Sequence, residues 1–155
     1  MTAQIGQLVR DLLAGDLQLY PERTSSLDEP GWNAFGEIVG AAFYQAVGRR
    51  FGPDHQDIDI TGFVAAAGAP YASTPVAIDL NAAEALVRTV LGDAATVGAV
   101  LEQLDEPDLA RIELVLLRKL LDDGGPEGQS VDSVVASAQD EAAQFSGEAG
   151  NRTHP

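Results

Sequence analysis

The sequence predicts an all-α fold, a compact bundle of about five to seven short helices with a tethered C-terminal amphipathic helix and a disordered tail. Apolar residues recur at spacings of three and four in most segments of the chain, which is the periodicity of one helix face. Two helix start signals of the form Asp-Glu-Pro occur, and glycine and proline separate the periodic segments. The length of 155 residues suits one domain. An α+β fold with a small strand pair near residues 57–61 and 76–80 is the alternative.

The first third of the chain predicts two amphipathic helices separated by a loop. Apolar residues at helical spacing predict the first helix over roughly residues 3–14. Residues 18–31 are rich in turn formers and are predicted to form the loop. Asp28-Glu29-Pro30 then predicts the start of the second helix, because acidic residues and proline are favoured in the first turn. This helix ends before Gly52-Pro53, and its tryptophan and two phenylalanines should anchor the core.

The middle of the chain predicts three further short helices. Either Asp59 or Thr61 is expected to cap the first of these, which we place over Phe63–Gly68 because the segment is dense in alanine. Asn81 is expected to cap the next helix. A further short helix is predicted over residues 97–104.

The most apolar helix is predicted over Leu109–Leu121, after the second Asp-Glu-Pro signal. Apolar side chains lie on nearly every face of it, and such a helix is usually central and covered by its neighbours. Its acidic residue, Glu113, is therefore expected to be partly buried. Candidate ion-pair partners for Glu113 are Arg88, Arg111 and Arg118, and such a pair is usually structural.

A change in composition after residue 124 divides the chain into a helical globular domain, residues 1–124, and a C-terminal segment rich in glycine, serine and acidic residues, 125–155. Apolar residues at helical spacing predict a helix over 130–145 in this segment, and residues 146–155 are expected to be disordered. The helix can dock on its own domain, on a second copy or on another protein, and we expect it to be less protected than the two long helices. Its candidate partner-contact residues are Val131, Val134, Val135, Ala138 and Phe145.

Net charge is the clearest feature of the composition, since 24 acidic and 9 basic residues give −15. A surface of this sign repels phosphate groups, so we expect no binding to nucleic acid and no attraction to an anionic membrane. The absence of cysteine excludes disulfides, thiolate catalysis and thiolate-bound metals. A signal peptide and an apolar run of about 20 residues are also absent, so we expect a cytoplasmic protein. The bias toward arginine and alanine suggests a high-GC bacterial genome.

No motif for catalysis, cofactor binding or metal binding is complete, and we predict no such site. Gly-rich phosphate loops and the serine elbow of hydrolases are absent. The DxDxT form of residues 57–61 resembles the phosphotransferase loop of haloacid-dehalogenase enzymes. The buried strand that must precede that loop is missing, so we interpret these residues as the acidic first turn of a helix. Asp54, His55, Asp57 and Asp59 lack the glycine and distal glutamate of a calcium loop, so they are a weak signal for a divalent cation.

Two functional hypotheses follow. The first is a small acidic, non-enzymatic protein-binding factor of the adaptor, chaperone-like or immunity-inhibitor type, whose partner is a protein, a basic one included, or a second copy. The alternative is a small helical enzyme or small-ligand-binding protein with a carboxylate- or arginine-lined pocket. A flat acidic face with exposed apolar residues would favour the first hypothesis. A deep pocket that contains a carboxylate with a perturbed pKa would favour the second.

Overall fold

The computed structural model describes residues 2–51, 56–92, 105–124 and 133–141, and within these ranges every regular element is helical. This confirms the all-α prediction. The alternative strand pair is wrong, because residues 57–61 are helical, residues 76–79 form an irregular connection and Leu80 begins a helix. A further helical segment covers residues 133–141. The α-helices are α1 (Thr2–Ala14), α2 (Tyr20–Thr24), α3 (Glu29–Arg50), α4 (Asp57–Gly68), α5 (Leu80–Val90) and α6 (Glu106–Gly124), and short 3₁₀ turns occupy Leu17–Leu19 and Ala69–Tyr71.

The loop predicted over residues 18–31 is wrong at both ends, because its first half forms a 3₁₀ turn and the short helix α2, and its last three residues belong to α3. Pro21 lies in the first turn of α2, where a missing N–H costs nothing. Leu17 and Tyr20 are buried in the core, and the Tyr20 hydroxyl donates a hydrogen bond of 2.6 Å to the carbonyl of Pro107. Burial raises the pKa of Tyr20 above its usual value. The buried side chains of Leu17 and Tyr20 lie among polar residues in the sequence. The spacing of apolar residues alone therefore does not predict the helix.

Aspartate side chains cap the starts of α3 and α5, although at α5 the aspartate is not the expected residue. Asp28 accepts a hydrogen bond of 2.8 Å from the backbone N–H of Gly31 at the start of α3, as its start signal predicts. At α5 the cap is Asp79, which accepts from two backbone N–H groups, and the prediction of Asn81 is wrong. The start predicted for α4 is also wrong, because α4 already begins at Asp57 with Gln56 as the capping residue. Residues 97–104 lie outside the described ranges.

Two hydrophobic clusters make up the described core, and α3 and α6 contribute to both. The first cluster joins α1, α3 and α6 to the segment 133–141, and the second joins α3 and α6 to α4 and α5. On α6, Leu114 belongs to the first cluster and Leu116 to the second. On α3, Phe35 and Phe43 are divided in the same way, and both are fully buried. The central position predicted for α6 and the anchoring role predicted for α3 are therefore observed.

Arg118 joins the end of α1 to α6. Its Nη1 atom donates hydrogen bonds of 2.7 Å and 2.8 Å to the carbonyl oxygens of Leu13 and Gly15. Carbonyls in the last turn of a helix have no partner within the helix, and a cation near them also complements the helix dipole. This contact fixes where α1 packs on the central helix.

Candidate functional site

A cleft of about 370 Å³ lies between α3 and α6. On α3, Asn33, Gly36 and Glu37 are three and four residues apart, so they lie on the same face of the helix. On α6, the facing residues are one and four apart. The two glycines of this face of α3, at positions 36 and 40, have no side chain to fill the space, and this leaves the cleft open. The residues that line the cleft are Asn33, Gly36, Glu37, Leu109, Ala110 and Glu113.

The carboxyl group of Glu113 lies at the inner end of this cleft. The residue is only 8% exposed, whereas Asn33 and Glu37 at the outer end are exposed. A Cβ atom built on Gly40 would lie 3.6 Å from Oε2 of Glu113, so the carboxyl group is in van der Waals contact with the surface of α3. A methyl group at position 40 would therefore touch the carboxyl group at an ordinary contact distance.

Glu113 has no hydrogen-bond or ion-pair partner among the residues that the structure describes. The arginine pairing expected from the sequence is therefore wrong for Arg88, Arg111 and Arg118 alike. Arg111 pairs with Asp108 at 2.8 Å, and Arg118 binds the end of α1. Residues two apart on a helix point in nearly opposite directions, because each residue turns the helix by about 100°. Arg111 therefore faces away from the cleft.

Burial raises the pKa of Glu113 to about 8, and desolvation of the carboxylate is the cause. At neutral pH the group is mostly protonated, so it can donate a hydrogen bond as well as accept one. Removing its proton needs either a pH near 8 or a cation placed beside it. The sequence identified Glu113 as a buried acid, but it did not indicate that the acid opens onto a cleft.

Three of the five candidate partner-contact residues, Val134, Val135 and Ala138, are buried in the first hydrophobic cluster. Val131 and Phe145 lie outside the described residues. Of the three docking places considered for the C-terminal helix, the observed one is its own domain. A partner contact through the three buried side chains would require the segment 133–141 to leave this position.

Polar contacts also hold the segment 133–141 against α1 and α3. Nη2 of Arg10 donates to Oε1 of Gln139 at 3.1 Å, and Nε2 of Gln45 donates to Oε2 of Glu141 at 2.6 Å. Gly6 of α1 faces the Gln139 side chain so closely that a Cβ atom there would collide with its amide. The segment therefore fits a surface formed by two helices of the domain.

The rest of the described surface offers less for a binding site. The large exposed apolar residues lie on four different elements, so no single helix presents an apolar stripe through them: Leu19, Tyr44, Ile58 and Leu80. Within the described ranges no three acidic or histidine side chains are grouped to hold a metal ion. Asp57 and Asp59 lie in the first turn of α4, while Asp54 and His55 lie outside the described residues. Among the described helices, none combines the length and hydrophobicity that crossing a membrane requires.

Comparison with known proteins gives no relative. No protein-family model, curated protein or solved structure matches this chain.

Proposed function

We propose that this protein binds a small molecule in the cleft between α3 and α6, with Glu113 as the anchoring group. The observation that supports the proposal is a buried carboxyl group without a partner at the inner end of a cleft. Burying an ionisable group without a partner destabilises the folded state, and groups of this kind concentrate at functional sites. A ligand that hydrogen-bonds to Glu113 would satisfy it.

The size and lining of the cleft suit a small ligand. Ligand sites usually have volumes of about 300–1,000 Å³, and the cleft lies at the lower end of that range. Leu109 and Ala110 give it an apolar wall, and Asn33 and Glu37 give it a polar outer end. A molecule with one polar group and a compact apolar body matches this arrangement.

Binding demands less of the site than catalysis does. Among the described residues, the cleft lining contains two carboxyl groups and one amide but no hydroxyl, thiol or imidazole that could act as a nucleophile. Glu113 alone could transfer a proton, but a general acid or base usually works with a second positioned group. Ligand binding is therefore the function that the geometry supports best.

The remaining expectations from the sequence stay predictions. These are a protein partner or a second copy, no binding to nucleic acid, and residence in the cytoplasm. The net charge of −15 favours a basic partner and disfavours phosphate backbones.

A fragment screen by NMR tests the proposed function. We expect at least one fragment to shift the backbone amides of Asn33, Gly36 and Glu37 in the ¹⁵N-labelled full chain. Gly40→Ala adds a methyl group beside Glu113 and should weaken this binding. Gly48→Ala is the matched control, because it adds the same methyl group to the same helix where no atom lies within 4 Å. The proposal is wrong if no fragment perturbs the cleft at millimolar concentration, or if both variants bind as the wild type does.

A further inference from the structure

We propose that the ligand of this cleft is an organic ammonium ion, a primary amine with a compact apolar body, whose ammonium group binds Glu113 at the inner end while Glu37 at the outer end adds negative charge. This inference rests on the proposed function and names the chemical class of its ligand. The ammonium group would lie over Gly36 and Gly40, where α3 has no side chains, and its body would lie against Leu109.

The charges around the cleft favour a cation. Its lining contains two carboxyl groups and, among the described residues, no basic side chain. The nearby Arg111 and Arg118 bind elsewhere, to Asp108 and to carbonyls at the end of α1. The net charge of −15 adds a negative field that attracts cations and repels anionic ligands. An anion would lie beside the carboxylate of Glu37, keep Glu113 protonated, and find no described cation to neutralise it.

The hydrogen-bonding groups fit an ammonium ion in particular. An ammonium group has three donors and no acceptor. The side chains of Glu113, Glu37 and Asn33 supply acceptors at the inner end and at the outer end of the cleft. The apolar wall of Leu109 and Ala110 gives the rest of the ligand a surface from which water is displaced.

A divalent metal ion fits the site less well. Hard cations such as calcium take about six to eight oxygen ligands, and the three polar side chains of the lining supply fewer. Within the described ranges no group of three acidic or histidine side chains surrounds a common point. The apolar wall also has no role in the binding of a bare metal ion.

Binding of the ammonium ion should release a proton. The neutral carboxylic acid of Glu113 loses its proton to water, and the carboxylate that forms pairs with the R–NH₃⁺ group, so charge and atoms balance. Glu37 on α3 lines the same cleft. A negative charge on Glu113 also raises the pKa of the Tyr20 hydroxyl on α2. Burial is the cause of the raised pKa of Glu113 among the residues that the structure describes. Affinity should therefore rise nearly tenfold per pH unit below a pH of about 8 and then level off.

Titration with benzylammonium and with benzyl alcohol tests the inference, because the two molecules share a shape and differ in charge. We expect benzylammonium to shift the amides of Asn33, Gly36 and Glu37 more strongly and at lower concentration than the alcohol does. Glu113→Gln should lower the affinity for benzylammonium by about tenfold or more and remove its pH dependence. Asp59→Asn removes one charge from an exposed position on α4 outside the lining, so it should change the affinity by less than about twofold.

The outcomes separate the inference from the proposed function. Equal binding of both molecules in the cleft would leave the proposed function standing and overturn the ammonium inference. Stronger perturbation of the cleft by calcium or magnesium than by benzylammonium would overturn it as well. If neither organic molecule nor any fragment perturbs the cleft, the proposed function itself fails. Circular dichroism and NMR of Glu113→Gln show whether that variant is folded, and an effect on affinity that persists in a folded variant supports the inference.

Discussion

Replacing Glu113 with glutamine should make the stability of the protein much less dependent on pH. In the folded state burial raises the pKa of Glu113 from its ordinary value of 4.5 to about 8. Between these two values the unfolded chain has lost this proton and the folded chain retains it. Because the folded state binds more protons, its stability falls as the pH rises from about 4.5 to about 8.

The size of the effect follows from the same two pKa values. Each pH unit between them lowers the free energy of unfolding by about 1.4 kcal/mol, so the loss reaches about 3 kcal/mol at neutral pH. The free energy of unfolding of a typical domain is about 5–15 kcal/mol. A loss of about 3 kcal/mol from this one group is therefore a large fraction of the total. Glutamine has nearly the same shape and does not titrate, so it removes the pH-dependent part of the cost and leaves the packing unchanged.

Urea unfolding followed by circular dichroism at several pH values between about 5 and 8 measures this difference. We expect the variant to gain about 1.4 kcal/mol over the wild type per pH unit across this range. Asp59→Asn is the control, because it makes the same change from carboxylate to amide at an exposed position outside the cleft. A constant difference between Glu113→Gln and the wild type would show that Glu113 is not protonated in the folded protein.

Four further substitutions test the packing of the helices by urea unfolding and hydrogen exchange. Arg118→Ala should lower the free energy of unfolding by about 1–2 kcal/mol, because two carbonyls at the end of α1 lose a charged donor; an unchanged stability would contradict this. Gly48→Ala should stabilise α3 by about 0.5–1 kcal/mol, since the added methyl group meets open space. Gly6→Ala adds the same group against Gln139 and should instead speed hydrogen exchange in the segment 133–141, and equal exchange would refute the observed docking. Val135→Ala should cost about 2 kcal/mol because this side chain is fully buried, whereas a segment that is free in solution would show no loss.

The long helices could be predicted from the sequence because their local signals and their burial agree. Asp28-Glu29-Pro30 supplies both the cap and the first turn of α3, and an apolar run on nearly every face marks α6 as central. The short helix α2 could not be predicted in this way. Tyr20 is buried by contact with distant parts of the chain, one of them the carbonyl of Pro107, and a short polar segment has no periodicity that reveals such contacts.

The sequence predicts the buried acid of the candidate site but not the cleft onto which it opens. The position of Glu113 in an apolar helix indicated a buried acid, because a side chain there has few ways to reach water. The cleft brings Gly36 of α3 and Glu113 of α6 into one lining, and this is a property of how the two helices pack. The expected arginine partners were wrong for the same reason, since closeness in sequence does not place Arg111 on the face of α6 that carries Glu113.

The central position of α6 has a consequence for how the protein folds during translation. Both hydrophobic clusters need side chains from α6, and α6 follows α1 to α5 along the chain. The ribosome adds about 5–20 residues per second. The second cluster cannot be completed until Leu120 has left the ribosome, and the first cluster must also wait for the segment 133–141. Until then the apolar faces of α1 and α3 are exposed to other nascent chains and to chaperones. Substitutions that weaken α6 should therefore lower the yield of folded protein in cells by more than their effect on the free energy of unfolding predicts.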